Sequence, residues 1–578
     1  MCYRHLGSSR VIGTDVLVVG TEAAGARAAI AAREAGADVV AVSKYYRFRS
    51  GSTICAPSDY ACDSRFLASL GCPGADSADS DESFYTDILA AGGNLNSPRL
   101  AARLVADCGQ RLGDLLRYGA RLGPVFRYPG HGFPRSLTLG SVGATGPHLM
   151  QILGRRADAI GVRGFDLCML LDLIIDASEA RGAVGLDLGS GELVIFQAKS
   201  VIVCAGGASS LYELSTAPEG ATGDGIAMAY RAGAALVDME MVQFIPYAQL
   251  TPTAMRGNTF LAGELLTLVR GHLLNRRGER FMEKYEPNNL ERATRDEVSL
   301  AIAKEVAAGR GSPRGGAYVS LEHLDARELT NFLSEMFPKW RVGPFDLLRF
   351  GFDPSQGTLE IAPFAHYWCG GLRVDGLCQT SIPGLYAAGE AVGGIHGGNR
   401  LSGCSLTDTQ VFGALAGIEA ARWAAGSSKA SRRLPSLDRV RHLIEQNLKR
   451  RLGGSESTIR DAVRKLAQRQ VGVLRNEQGL LSTMKLSRTL RAQARGIRVR
   501  TQGLIGNLEL VRAIETQNLI DILEVTALSA NERTESRGAH FRTDFPQEGS
   551  VAQHTVVRQD GERAAVSLVN QEGTEHAS

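Results

Sequence analysis

Three neighbouring segments decide the fold: Thr358-Leu-Glu-Ile-Ala-Pro-Phe-Ala-His-Tyr-Trp-Cys-Gly-Gly371, Gly384-Leu-Tyr-Ala-Ala-Gly-Glu390 and His396-Gly-Gly-Asn-Arg-Leu-Ser-Gly-Cys-Ser-Leu406. Glycine lets a backbone approach a bulky ligand closely. The apolar run before Gly389-Glu390 predicts a strand, which sets Glu390 at its carboxyl end, where α/β folds bind ligands. An acid there can hold ribityl or ribose hydroxyls. His366 and Arg400 can grip a carboxylate, arginine in bidentate fashion. The stretch reads as a flavin-type site beside an acid-binding pocket.

Working outward, Asp15-Val-Leu-Val-Val-Gly20 predicts a buried strand, Ala26–Ala35 a helix and Asp38–Ser43 a second strand. That is a βαβ unit of about thirty residues, the size of a dinucleotide-binding unit. Free amides at the helix start near Gly25 suit a pyrophosphate. The middle glycine position of the turn holds Glu22, and a carboxylate beside a diphosphate is unfavourable unless its side chain turns away. Ser200-Val-Ile-Val-Cys-Ala-Gly-Gly207 repeats the strand-to-glycine pattern, and Thr222-Gly-Asp-Gly225 opens an alanine-rich helix. The ordered set predicts one discontinuous Rossmann-like α/β domain built from residues 1–240 and 351–426. Residues 241–350 form an inserted α+β cap. Apolar residues recur at helical spacing in 435–546, predicting a helical domain, and the polar stretch 547–578 predicts a loosely ordered tail.

The 578 residues are 44% hydrophobic and 22% charged, with net charge +3, so composition makes no case for nucleic acid. No apolar run is long enough to span a bilayer, and no signal-like h-region precedes the first strand, so the expected location is cytoplasmic. Ten cysteines occur without a Cys-x-x-Cys pair, which leaves no iron–sulfur or zinc spacing and no predicted metal site. Cys369 and Cys404 fall within the glycine-rich loops and are expected as buried thiols.

Taken with Gly220-Ala-Thr-Gly-Asp-Gly-Ile-Ala-Met-Ala, Ala293-Thr-Arg-Asp-Glu-Val-Ser and Glu535-Ser-Arg-Gly-Ala-His-Phe-Arg-Thr-Asp-Phe-Pro, these segments resemble the fumarate reductase and succinate dehydrogenase flavoproteins. That family also includes L-aspartate oxidase and adenylylsulfate reductase, and the resemblance runs from about Asp15 to Pro546. It implies FAD in the discontinuous domain, under a cap. It implies contacts to FAD from Gly20, Ala24, Gly25, Ser43, Lys44, Ser50, Gly51 and Ser52. Further contacts are implied at Ala205, Gly206, Gly207, Thr222, Gly223, Asp224, Gly389, Glu390, Asn399, Arg400, Ser405 and Leu406. Arg295 matches an arginine tied to proton transfer, His366 and Arg400 the pair that holds one substrate carboxylate, and Glu264 the glutamate of a proton relay. Without the resemblance, Arg295 would read as a salt bridge to Asp296 or Glu297 and His366 as a core histidine.

Departures limit what carries over. The histidine and threonine that hold a second carboxylate in the dicarboxylate enzymes fall at Ile245 and Gly263, and the relay arginine at Thr267. A buried carboxylate without partners is costly, so a substrate with one carboxylate is expected unless Tyr247 or His272 replaces the lost ligands. Gly51 stands where respiratory members carry the histidine that links FAD covalently, so FAD is expected to be non-covalent. The expected reaction is FAD-dependent hydride transfer at a carbon beside a carboxylate. The alternatives are amine oxidation, as in L-aspartate oxidase, or service as the flavin-bearing component of a complex that passes electrons to a ferredoxin-like or other partner.

Overall fold

The computed structural model describes residues 9–57, 59–325, 327, 359–427, 435–450, 453–561 and 563–571. The end of the expected cap, residues 328–350, lies outside the described residues, as does the link between the second part of the flavin domain and the helical domain, residues 428–434.

Short runs of three or four residues, mostly apolar and too short for helices, form the central strands. Val16–Val19, Val39–Val42, Arg163–Phe165, Ser200–Val203 and Leu385–Ala387 make one parallel five-stranded sheet. Across it the order is Leu385–Ala387, Ser200–Val203, Val16–Val19, Val39–Val42 and Arg163–Phe165. Leu17 pairs with Val201, and both, like Val16, have no measurable exposure, as a sheet covered on both faces requires. The alanine-rich helix Ala23–Glu34 packs on the 23-residue helix Cys404–Gly426. Side chains at Gly413 and Gly417 would collide with the Ala24 and Ala28 carbonyls, so the alanines and glycines bring the two backbones together.

The cap is a four-stranded antiparallel sheet of Val242–Gln249, His272–Leu274, Ala317–Ser320 and Leu359–Trp368, covered by helices Phe260–Thr267 and Arg295–Ala307. Leu359–Trp368 pairs along Val242–Gln249, so His366 sits on a cap strand just before the chain returns to the flavin sheet. Helices Glu456–Gln470, Glu477–Ala494 and Leu508–Glu532 pack together as the helical domain.

The stretch after Pro546 corrects an expectation. Gln553–Asp560 and Arg563–Asn570 form an antiparallel hairpin, and the first of these strands pairs with Leu236–Val237. His554 is buried, and its Nδ1 lies 2.5 Å from Asp238 Oδ2. The β-branched run Thr555-Val556-Val557 suits a buried strand, but the strand it needs as a partner lies more than three hundred residues upstream.

Candidate active site

Two cavities meet between the flavin sheet and the cap. One, of about 310 Å³, runs under the turn after Val19 and is lined by Gly20, Ser43, Lys44, Ser50, Gly51, Ala205, Gly207 and Asp224. The other, of about 770 Å³, reaches up to the cap and is lined by Ala24, Ile245, Tyr247, Glu264, Arg295, His366, Glu390, Ser405 and Leu406. Glu22, Ser52, Cys204 and Gly206 line both. An elongated ligand of two halves, narrow at its middle, fits this outline.

The cradle at that waist is built from backbone. Gly20 has φ +94, and a side chain at Gly25 would run into the Gly20 carbonyl, so the turn and the helix start approach as closely as the polymer allows. Glu22 turns its carboxylate away from the helix start. It accepts hydrogen bonds from Thr53 N at 2.9 Å and Thr53 Oγ1 at 3.2 Å, and burial raises its carboxyl above the ordinary range. Gly51 has φ +91, and a Cβ there would fall on the Glu22 carboxylate. Lys44 donates to Asp224 and Glu515, both at 2.6 Å. Thr222 and Gly223 line neither cavity. Thr222 Oγ1 bonds Asp224 at 2.8 Å, and Gly223 caps helix Asp224–Arg231. Gly389 packs against Ala24, and Glu390 accepts from Trp368 N at 2.9 Å, its carboxyl pushed by burial up to about 7.

Arg295, His366 and Arg400 converge. Arg295 is the first residue of helix Arg295–Ala307, whose Thr294–Glu297 capping box fixes its start. Glu297 serves that box and Asp296 accepts from Asn399 Nδ2 at 2.7 Å, so neither neutralises Arg295. Arg295 Nη1 and Arg400 Nη2 both donate to Gln243 Oε1, each at 3.1 Å, and Arg295 Nη2 reaches Ser402 Oγ at 3.2 Å. Among the described residues neither guanidinium has a carboxylate within salt-bridge reach. Burial and the neighbouring Arg295 bring Arg400 down to about 10. His366 Nδ1 sits 2.8 Å from Thr216 Oγ1, and burial together with the two arginines holds the ring neutral. Arg295 and His366 are the only basic side chains on the larger cavity among the described residues. Arg400 and Asn399 face a smaller adjoining hollow shared with Arg295, Tyr128 and Tyr247.

The wall that carries the departures is apolar and acidic. Ile245 is 3% exposed, and the Tyr247 ring covers the site of a side chain at Gly263. Thr267 Oγ1 donates to Gly263 O, at 2.7 Å. His272 stacks on His323 with ring centroids 3.6 Å apart and does not line the cavity, so of the two substitutes only Tyr247 is in place. Glu264 finds its partner in Tyr128, which donates at 2.9 Å; burial lifts Glu264 to about 8 and Asp59, on the same cavity, to about 7. Asp59 and Tyr128 lie in loops without a motif, so nothing in sequence singles them out, and Gln243 is matched only as part of the segment that holds Ile245. Cys369 and Cys404 are buried with thiols pushed up to about 12, and neither lines the cavities.

Comparison with known proteins gives the same assignment along most of the chain. Residues 15–406 match the FAD binding domain family and residues 460–577 the fumarate reductase flavoprotein C-terminal family. The chain belongs to the fumarate reductase/succinate dehydrogenase flavoprotein family. It is 35% identical over 550 residues to a subunit of the fumarate reductase (CoM/CoB) of Methanothermobacter marburgensis, covering 93% of this chain and 96% of that one. The succinate dehydrogenase flavoprotein subunit of Rickettsia bellii is 30% identical, over 94% of this chain and 92% of its own. The Escherichia coli quinol fumarate reductase superposes with a TM-score of 0.85 at 28% identity, over 97% of each chain. This flavoprotein is therefore an FAD-dependent oxidoreductase, and the glycine cradle and two-part cavity fit its cofactor. Among the described residues no helix is long and apolar enough to cross a membrane.

Proposed function

We propose that this flavoprotein interconverts an unsaturated and a saturated small acid that carries one carboxylate and an uncharged far end. The observation that carries this is the imbalance of the cavity. Arg400 is buried and Arg295 half-buried, two cations sharing one amide oxygen with no carboxylate in salt-bridge reach among the described residues, whereas Ile245, Asp59 and Glu264 line another part of the same space. Buried charges are tolerated when paired, so one substrate carboxylate completes the first patch. A second carboxylate would meet two acids and an isoleucine.

FAD, held by the cradle, supplies hydride transfer at its N5. The chain's own residues orient and polarise. His366, neutral and fixed by Thr216, would donate one ring N–H to the carboxylate while Arg295 and Arg400 stabilise the charge that develops beside it. Arginine stays a cation, so the proton that accompanies the hydride comes from an acid nearby. FAD is held without a covalent link in this reading. Its support is Gly51, which offers no nucleophile and leaves no room for a side chain while Glu22 keeps its place. Electrons leave to a partner protein or small carrier; the sequence has no Cys-x-x-Cys pair, and the relatives are named as subunits.

The test is anaerobic. Oxidised protein is mixed with succinate, L-aspartate and saturated monocarboxylates, and chemically reduced protein with fumarate and 2-enoates, while the flavin absorbance is followed. Monocarboxylate pairs should respond at least about a hundredfold faster than the dicarboxylates, the scale on which unmatched buried polar groups discriminate. Fast bleaching by succinate overturns the reading, and fast bleaching by L-aspartate replaces it with amine oxidation.

A further inference from the structure

Glu22 has no part in the substrate chemistry, yet it stands at the waist between the two cavities and lines both. It occupies the capping position of helix Ala23–Glu34, where a short polar side chain ordinarily takes the free amides. The Glu22 side chain makes no such cap. Its Oε2 instead accepts both hydrogen bonds from Thr53, from N at 2.9 Å and from Oγ1 at 3.2 Å. Its Oε1 lies against Gly51, where a Cβ would fall on it. The helix start is thereby left open to a diphosphate, while the carboxyl that vacated it stays at the waist.

The groups around that carboxyl do not neutralise it. Glu390 follows strand Leu385–Ala387, and burial, then the charge of Glu22, push its own carboxyl up to about 7. Cys55 closes the turn that begins at Thr53, and burial, then Glu22, raise its thiol. Cys204 follows strand Ser200–Val203 and lines both cavities. On the smaller cavity stand Lys44, Tyr45 and Asp224, and Lys44 is already paired with Asp224 and Glu515, each at 2.6 Å. On the larger stand Asp59, Glu264, Arg295 and His366, with Tyr128, Tyr247 and Tyr367. Among the described residues no cation is within salt-bridge reach of Glu22 or Glu390.

The diphosphate of FAD is anionic at neutral pH. Seating it at the waist sets like charge beside a carboxyl that lacks a cation. Glu22 is half-buried, and a ligand in the cavities it lines displaces water from it. Both effects favour the neutral acid. Thr53 holds Oε2, so Oε1 is free to carry the proton and the Thr53 hydrogen bonds survive.

We propose that FAD binding by this chain is proton-coupled through Glu22, whose carboxylate in the apoprotein takes a proton from water as the cofactor seats. The Glu22 carboxylate, a solvent proton and FAD give the complex with a Glu22 carboxylic acid, and release of FAD reverses the step. At low pH the apoprotein already holds the proton and binds FAD without further cost. At higher pH each binding event must first draw a proton from solvent, so affinity falls as pH rises. The coupling holds whichever acid the flavin turns over.

The experiment strips FAD from the full-length protein and titrates it back by calorimetry across a pH series, each point in two buffers of different ionisation heat. The difference between buffers counts the protons taken up per FAD. The wild type should take up a proton over part of the series, and its Kd should rise by up to about tenfold per pH unit, the limit for one linked proton. Glu22→Gln keeps the shape and the acceptor for Thr53 but has nothing to titrate. It should lose that uptake, flatten the Kd profile and bind FAD at least about tenfold more tightly than the wild type at the alkaline end. Thr53→Val removes one donor from the carboxylate and should move the otherwise wild-type profile to higher pH. If Glu22→Gln does not fold, Thr53→Val decides alone, and a profile that superimposes on the wild type overturns the coupling. Wild-type uptake persisting in Glu22→Gln would give the proton to Glu390 and overturn the proposal, as would a wild-type Kd that does not change with pH.

Discussion

The basic patch and the acidic patch of the larger cavity differ in how each bears its burial. Arg295 and Arg400 keep their charge and lean on one neutral oxygen of Gln243. Asp59 and Glu264 bear it by holding protons, at about 7 and about 8. Arginine keeps its charge near neutral pH, whereas a buried carboxyl can shed its own. One patch therefore waits for an anion from outside and the other is charged with protons from within. The proposed transfer of a hydride and a proton would use both kinds.

Removing the charge from the basic patch is the strongest way to break this contrast. Arg295→Gln should lower kcat/KM by about 10²–10³, the range for losing one preorganised donor, while FAD stays bound with an unaltered visible spectrum. Arg295→Lys, which keeps the charge without the fork, should recover only part of the loss. An Arg295→Gln protein with near wild-type turnover would remove the patch from the chemistry.

Making the second wall polar sharpens the contrast. Ile245→His should improve turnover of a dicarboxylate relative to a monocarboxylate by about tenfold, since a pocket donor is matched only by a ligand that can pair with it. Competition between the two acids in one assay measures this, and an unchanged ratio would show that the wall does not select.

The smallest effect is on stability. Glu264 is raised from an ordinary 4.5 to about 8 mainly by burial. Between these values the folded protein binds a proton that the unfolded chain releases, so its contribution is fully present below about 4.5 and is lost as pH rises through about 8. Melting midpoints should fall over that window, and Glu264→Gln should flatten the fall by about 1–2 kcal/mol, an ordinary mutational effect. Parallel curves for the two proteins would place the titration elsewhere.

The flavin cradle was legible because its causes are local. Gly20, Gly25 and Gly51 announce close backbone approach within a few residues of the strand or loop that needs it, and the order of the glycine-rich strands names the sheet. His366, Arg400 and Arg295 could be singled out from their segments, and the structure does bring them together, though Arg400 faces an adjoining hollow instead of the main cavity. The hairpin after residue 552 was missed because a strand is defined by the partner that pairs with it, here Leu236–Val237.

By itself the sequence determined the family, the cofactor and the layered architecture, since each depends on residue type at a position. Tertiary structure alone decided which side chains meet. It turned Glu22 onto Thr53, set Gln243 between two arginines and joined Tyr128 to Glu264 from distant segments. A hydrogen bond forms between atoms within about 3 Å of each other. Spacing along the chain says nothing about that distance until the cap has closed over the sheet.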